Sequence, residues 1–235
     1  MLLEEVMQEL EAMGSASTRK IYDNHGARGP GFGVKVGDMK KILKKTKKDH
    51  ALALSLYETG NTDAMYLAGL MGDARKVTSQ ELDHWAKTAT FYMVTEYAVA
   101  GLAAESPHGW DLALQWIDAP EDHVSSAGWA TLGGLVSVRD DQDLDLDVLS
   151  QLMQRVVQTL AQAPNRTRYT MNGFIIGVGC YIAPLLEKAN AAAEAIGKVN
   201  VDMGGTRCKV PMATDYIKKV VDMGRLGKKR KKVRC

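Results

Sequence analysis

From residue 37 onward, apolar residues recur at helical spacing almost without interruption, and this periodicity limits the folds open to the chain more than any other feature. The spacing predicts helices over 37–47, 49–59, 62–72, 78–90, 91–104, 107–117, 121–138, 145–162, 165–178, 181–195 and 210–223. Breaks fall at turn-forming residues: Thr59-Gly60-Asn61, Ser106-Pro107, Ala119-Pro120 and Ala163-Pro164. Upstream, Leu2, Leu3, Val6, Met7, Leu10 and Met13 mark a first helix closed by Gly14, and Ser17 to Asn24 mark a short second one. Helices this short cannot bury their apolar faces in isolated pairs, so pairs must stack into a curved array with a concave face able to bind a partner. The expectation is an all-α, right-handed α-solenoid without β-sheet: one domain over 1–223, followed by a basic tail over 224–235.

Charge is segregated along the chain, although the formal net charge is only +2. Residues 224–235, GRLGKKRKKVRC, carry seven Lys or Arg and no acid, and residues 35–48, KVGDMKKILKKTKK, carry seven Lys and one Asp. Between them, residues 49–223 hold 13 basic and 22 acidic groups, a balance of −9. Basic blocks on an acidic body suit a polyanion, because each neutralised phosphate releases condensed counterions. Lys40, Lys41, Lys44 and Lys45 are the candidate contacts of the first block, for which a solvated surface is an equal explanation. Lys228, Lys229 and Arg230 are those of the tail. With only Leu226 and Val233 as bulky aliphatic residues, the tail is expected to lie outside the core and to strengthen DNA binding.

Other chemistries find little support. The segment GARGPGFGVKVGD matches neither the dinucleotide fingerprint nor the P-loop, and reads as a loop that turns the chain. The acidic run Asp140, Asp141, Asp143, Asp145 and Asp147 lacks the central glycine of a calcium loop, and reads as loop plus helix N-terminus. No two of Cys180, Cys208 and Cys235 have metal-ligand spacing, and none of the five His has a partner at such spacing, so neither a metal nor a cofactor is expected. Cys208 beside Arg207 and Lys209 could have a lowered pKa, although a buried structural thiol is the commoner outcome. No apolar run approaches the ~20 residues of a membrane span. The acidic start MLLEEVMQELEAMG reads as helix rather than signal peptide. The expected setting is the cytoplasm, with nucleoid association if the source is prokaryotic.

The densest group of aromatic and ionisable residues is LDHWAKTATFYMVTEYAVAGLAAES, residues 82–106. Trp85, Thr88, Tyr92 and Glu96 are three or four apart, so one face of a continuous helix would carry all four. This stretch, with DAMYLAGLMGD (63–73) and APEDHVSSAGWATLGGL (119–135), resembles the AlkD-type DNA alkylation-repair family, built from HEAT-like helical repeats, over roughly residues 1–195. The resemblance implies a HEAT-like superhelix that binds double-stranded DNA, as a monomer, and a glycosylase that excises N-alkylated purines. In that chemistry aromatic side chains and one carboxylate hold the deoxyribose, and the carboxylate stabilises the oxocarbenium-like cation. Carried over by position, Tyr92 matches the aromatic and Glu96 the acid, and the shared helix face adds Trp85 as adjoining wall.

The chain departs from the active members of that family. They have Trp and Asp where it has Tyr92 and Glu96. An Arg pair is replaced by Val124-Ser125-Ser126-Ala127-Gly128, and a second Trp with its nearby Arg by residues 172–179. Its own candidates are Arg166, Arg168, Tyr169 and Asn172, with the Arg and Asn side chains suited to DNA contact, for which an Arg paired with an acid of the preceding repeat is an equal reading. Trp110, Trp116 and Trp129 read as core. Two other functions remain open: a non-catalytic DNA-binding member, and a helical scaffold for protein partners.

Overall fold

The apolar spacing becomes helix nearly everywhere it occurs. In the computed structural model, which describes residues 1–206 and 208–234, the chain runs through α1 (Leu3–Met13), α2 (Ala16–Asn24), α3 (Val36–Thr46), α4 (His50–Glu58), α5 (Thr62–Met71) and α6 (Ser79–Thr88). A π-helical turn, Val94–Val99, leads into α7 (Ala100–Glu105). Then follow α8 (Gly109–Trp116), α9 (Asp122–Val138), α10 (Leu146–Thr159), α11 (Asn165–Tyr181), α12 (Leu186–Ile196) and α13 (Ala213–Asp222). No strand occurs among the described residues, and no single helix is long and apolar enough to cross a membrane. Arg207 and Cys235 lie outside the described residues, so the reading of Cys208 beside Arg207 is not addressed for Arg207.

Several helix starts are encoded locally. Side chains of Ser15, Asp49, Asn61, Thr78 and Asp145 accept hydrogen bonds from first-turn backbone N–H groups of α2, α4, α5, α6 and α10. Asp145 closes the acidic run as the cap of α10, and Asp147 sits in that helix's first turn.

Apolar burial divides into two cores. Leu10, Ile42, Leu56, Leu67, Leu82 and Trp85 belong to the N-terminal core. Leu132, Leu149, Phe174, Ile175 and Ile217 belong to the C-terminal core. Helix α9 serves both: Val124 and Ala127 face the first, and Trp129, Leu132, Leu135 and Val136 the second.

The glycine-rich loop between α2 and α3 is pinned from within. The buried carboxylate of Asp63, at the start of α5, accepts from the backbone N–H of Phe32 at 2.6 Å, Gly33 at 3.0 Å and Val34 at 2.9 Å. These are the donors a phosphate would need, and an internal carboxylate already occupies them. Gly33 has φ of 75°, and a Cβ there would meet the Arg19 nitrogen at 2.4 Å, so this turn requires glycine.

The tail does not hang free, contrary to the expectation from its composition. Lys229 Nζ donates to the Val136 carbonyl at 2.9 Å and pairs with Asp141 at 2.8 Å, while Arg230 N–H donates to the Ser137 carbonyl at 2.7 Å. Both satisfy carbonyls in the last turn of α9. Arg234 is only 6% exposed. Its Nη1 donates to the carbonyls of Gly69 at 2.6 Å and Gly72 at 2.9 Å, and its Nη2 to Glu105 Oε2 at 2.7 Å. Glu105 Oε1 also accepts from the backbone N–H of Val233 and Arg234. The reason is local: one arginine in a basic run finds both a carboxylate and the open carbonyl end of α5, and a buried charge held this way is stable.

Replacing Arg234 leaves Glu105 and the α5 carbonyls without partners, so Arg234→Ala should lower unfolding free energy by about 3 kcal/mol at neutral pH. Burial pushes the Glu105 carboxyl up, but hydrogen bonds and charge from Arg234 outweigh this and hold it below its ordinary value. A depressed carboxyl contributes stability that is present at neutral pH and lost as pH falls through its folded value, so the parent–variant gap should narrow in acid. Urea unfolding at two pH values checks this. A variant within ~0.5 kcal/mol of the parent at neutral pH would mean that the strap adds nothing.

Candidate nucleic-acid interface

A face shared by Trp85, Thr88, Tyr92 and Glu96 requires the helices expected over 78–90 and 91–104 to run on as one, and they do not. Residues 89–91 are non-helical, and the chain then re-enters helix through the π turn. No glycine or proline signals this break, and it separates Trp85 from Glu96. The i→i+5 bonding of a π turn also changes which residues share a face. Trp85 is 1% exposed and stacks flat on Tyr57, ring centres 4.1 Å apart, deep in the N-terminal core. It forms no wall beside Glu96, and the expectation that it would is corrected.

Glu96, inside the π turn, meets Arg166 of the first turn of α11. Oε1 accepts from Nε at 2.8 Å and Oε2 from Nη2 at 2.6 Å, a bidentate contact between residues 70 apart in sequence. The side chains are 2% and 16% exposed. Ser126 Oγ adds a donor 3.4 Å from Oε1. The guanidinium lies between the rings of Tyr92 at 4.2 Å and Tyr169 at 4.4 Å. Asp122, the first residue of α9, holds the start of α11: it accepts from the backbone N–H of Arg166 at 3.1 Å and of Thr167 at 2.8 Å. Burial pushes the Glu96 carboxyl up, to about 7, against the opposing hydrogen bonds and charge of Arg166. Burial disfavours charge on Arg166 as well, but Glu96 outweighs it and holds the guanidinium above its ordinary value. Two short contacts to both oxygens are those of an ionised, charge-assisted pair.

A cavity of about 500 Å³ opens beside this pair. Tyr92, Arg166, Asp122, His123, Asn24, His25, Asp202 and Met203 are among the residues that line it. Glu96 does not line it. The loop between α12 and α13 reaches across to the N-terminal helices. Asn165 bonds Asp202 in both directions, at 3.0 and 2.8 Å, and Gly204, with φ of 66°, lies so close to the Asn24 carbonyl that a Cβ would overlap it. Cys208 is exposed, with Sγ 4.0 Å from His25 Nε2, so it is not the buried structural thiol expected. Among the described residues no three His, Cys, Asp or Glu side chains come together as a metal site.

The other candidates scatter. Asn172 is 1% exposed and donates to the Pro211 carbonyl at 3.0 Å, so it anchors a loop rather than offering itself to a base. Arg166 is engaged by Glu96 rather than free for a phosphate. Arg168 is half-buried, and its Nε has no partner among the described residues. On α3, Lys41 pairs with Asp38 and Lys45 with Glu9, each at 2.7 Å, while Lys40 and Lys44 have no partner among the described residues. In the tail, Lys229 and Arg230 are tied to α9, and Lys228 is exposed. Sequence reasoning missed Asp122 and His25, and it named Tyr169 without seeing that its ring would pack on Arg166. Only Asp122 carried a signal, as an acid at a helix start.

Residues 6–189 match the DNA alkylation repair enzyme family. An uncharacterised protein of Listeria innocua serovar 6a is 38% identical over 217 residues, covering 90% of this chain and 93% of the relative. A counterpart in Listeria monocytogenes serovar 1/2a is 37% identical over the same coverage. A solved structure is 40% identical, covers the whole of both chains and has a TM-score of 0.90. It is described as belonging to a new family of proteins related to the HEAT-like repeat DNA glycosylases, with affinity for branched DNA structures. The HEAT-like repeat architecture is thus the fold of this chain.

Arg166→Met leaves a buried carboxylate unpaired, which costs about 3–5 kcal/mol of stability at pH 8. The loss should be smaller at pH 5: a carboxyl raised above its unfolded value penalises the fold only where the unfolded chain has ionised, so the penalty grows as pH rises. Adding Glu96→Gln should recover part of it. Equal losses at both pH values in denaturant titrations would contradict the buried-pair geometry.

Proposed function

The chain belongs to the DNA alkylation repair enzyme family, and from that premise we propose that it is a DNA-binding member with affinity for branched DNA, in which Glu96 serves the structure rather than catalysis. The observation that carries this reading is the bidentate Glu96–Arg166 contact. A carboxylate stabilises an oxocarbenium-like sugar by presenting uncompensated negative charge close to it in a dry site. Here both oxygens are taken by a guanidinium, which lines the cavity beside Tyr92. A carboxylate neutralised in this way has no free negative charge to offer a developing sugar cation. Lys40 and Lys44 on α3, together with Arg168, supply unpaired cations for the DNA backbone, where contacts position without reading sequence.

One observation favours the other reading, excision of an N-alkylated purine. Tyr92 fronts a cavity of about 500 Å³, within the range of pockets that take small molecules. On that reading Arg166 must withdraw from Glu96 when the lesion enters.

Two measurements on one preparation decide between them. The proposal expects a four-way junction to bind at least about tenfold more tightly than a linear duplex of equal length, a difference near 1.4 kcal/mol. It also expects no base release from duplex containing an N-alkylated purine. Base release by the parent that disappears in Glu96→Gln would overturn the structural assignment of Glu96 and restore the glycosylase. Equal affinity for junction and duplex would remove the preference for branched DNA.

A further inference from the structure

A second groove lies on the other side of the Glu96–Arg166 pair. It holds about 250 Å³, and its walls carry Tyr97, Tyr169, Tyr181 and Tyr216. Tyr97 and Tyr216 are 47% and 50% exposed, which is unusual for large aromatic rings with no partner chain in place. Its floor includes Gly133 of α9 and Gly173 of α11, both in mid-helix. Gly173 has neither of the usual reasons to be glycine. It is exposed, its φ is not positive, and nothing lies within 4 Å of the place its Cβ would occupy. Glycine there weakens the helix and lets no neighbour approach more closely. What it does is keep the floor of the groove open.

At Tyr181 and Tyr216 the groove runs on into a second hollow of about 420 Å³, lined by Lys219, Arg225, Lys228 and Arg230. The side chains of Lys219, Arg225 and Lys228 have no partner among the described residues. Among the described residues Glu96 is the one acid lining either hollow, and Arg166 neutralises it. Tyrosine faces followed by unpaired cations match a strand whose bases are free to stack and whose phosphates need neutralising. A paired duplex keeps its base faces inside its own stack and cannot use the tyrosines.

We propose that this trough takes unpaired DNA nucleotides, with their bases against Tyr97, Tyr169, Tyr181 and Tyr216 and their phosphates toward Lys219, Arg225 and Lys228. The proposal rests on the DNA-binding reading and deepens it: a branch with a single-stranded arm offers both a duplex and unpaired nucleotides.

The test fills the trough without touching a charge. Gly173→Leu places a side chain over the floor at a position with open space and replaces glycine with a better helix former, so the fold should survive; a thermal melt checks this. Tyr216→Ala removes one stacking face. Fluorescence anisotropy is read with three probes: an oligo(dT) of about twelve nucleotides, a flap with a single-stranded arm, and a fully paired duplex. Each variant should weaken oligo(dT) and flap binding on the order of tenfold while duplex affinity stays within about twofold. Unchanged oligo(dT) affinity in both variants, or an equal fall on the duplex, would overturn the proposal. The DNA-binding reading fails separately, if the parent binds none of the three probes. A parent that binds duplex but not oligo(dT) sinks the trough alone.

Discussion

The bidentate pair between Glu96 and Arg166 ties together two apolar cores built from different stretches of chain. Its partners come from the π turn packed on the N-terminal core and from the first turn of α11, which belongs to the C-terminal core. Taking two charges out of water is costly, and the cost is offset only when geometry is good and remaining hydrogen-bonding groups are satisfied. Much of the neighbourhood serves that condition. Tyr92 and Tyr169 sandwich the guanidinium, Ser126 supplies a donor, and Asp122 fixes the backbone from which Arg166 projects. The same pair divides the surface, with the cavity lined by Tyr92 and Arg166 on one side and a tyrosine-walled groove on the other.

Internal carboxylates follow a common pattern through the fold. Asp63 gathers three N–H groups of the glycine-rich loop, Asp122 takes the first donors of α11, and Glu105 receives the tail. Each joins segments distant in sequence. Helical-repeat arrays depend on contacts between neighbouring repeats, and irregular links between repeats must have their backbone groups satisfied somewhere. In this chain a buried acid does that repeatedly, so part of the acidic excess between the two basic blocks is structural.

What was legible in the sequence follows from which forces are local. Helix α9 was readable to within a residue, because its apolar spacing and the turn at Ala119-Pro120 are written in adjacent positions. The boundary between the helices expected over 78–90 and 91–104 coincides with the break at 89–91, where Phe91 is buried, but spacing alone does not show that this break parts Trp85 from Glu96. Glu96 stood out as an acid in an apolar stretch that needed a partner, but its partner lies 70 positions away and nothing in composition points to it. The tail shows the reverse error. Its composition describes a solvated segment, and a single arginine meeting Glu105 and the carbonyl end of α5 anchors it. Trp85 was misplaced because spacing of three and four puts residues on one face only while the helix continues.

The central claim is that Glu96 stays bound to Arg166 while the protein engages DNA. Nitrogen-edited NMR of the Arg166 Nε–H tests this most directly, because a guanidinium proton held by a buried carboxylate exchanges slowly with solvent. The account predicts that the resonance is protected in the free protein and remains protected on binding a four-way junction or a duplex containing an N-alkylated purine. Loss of protection when the alkylated duplex binds, with the junction leaving it intact, would show Glu96 released toward the lesion and would contradict the account.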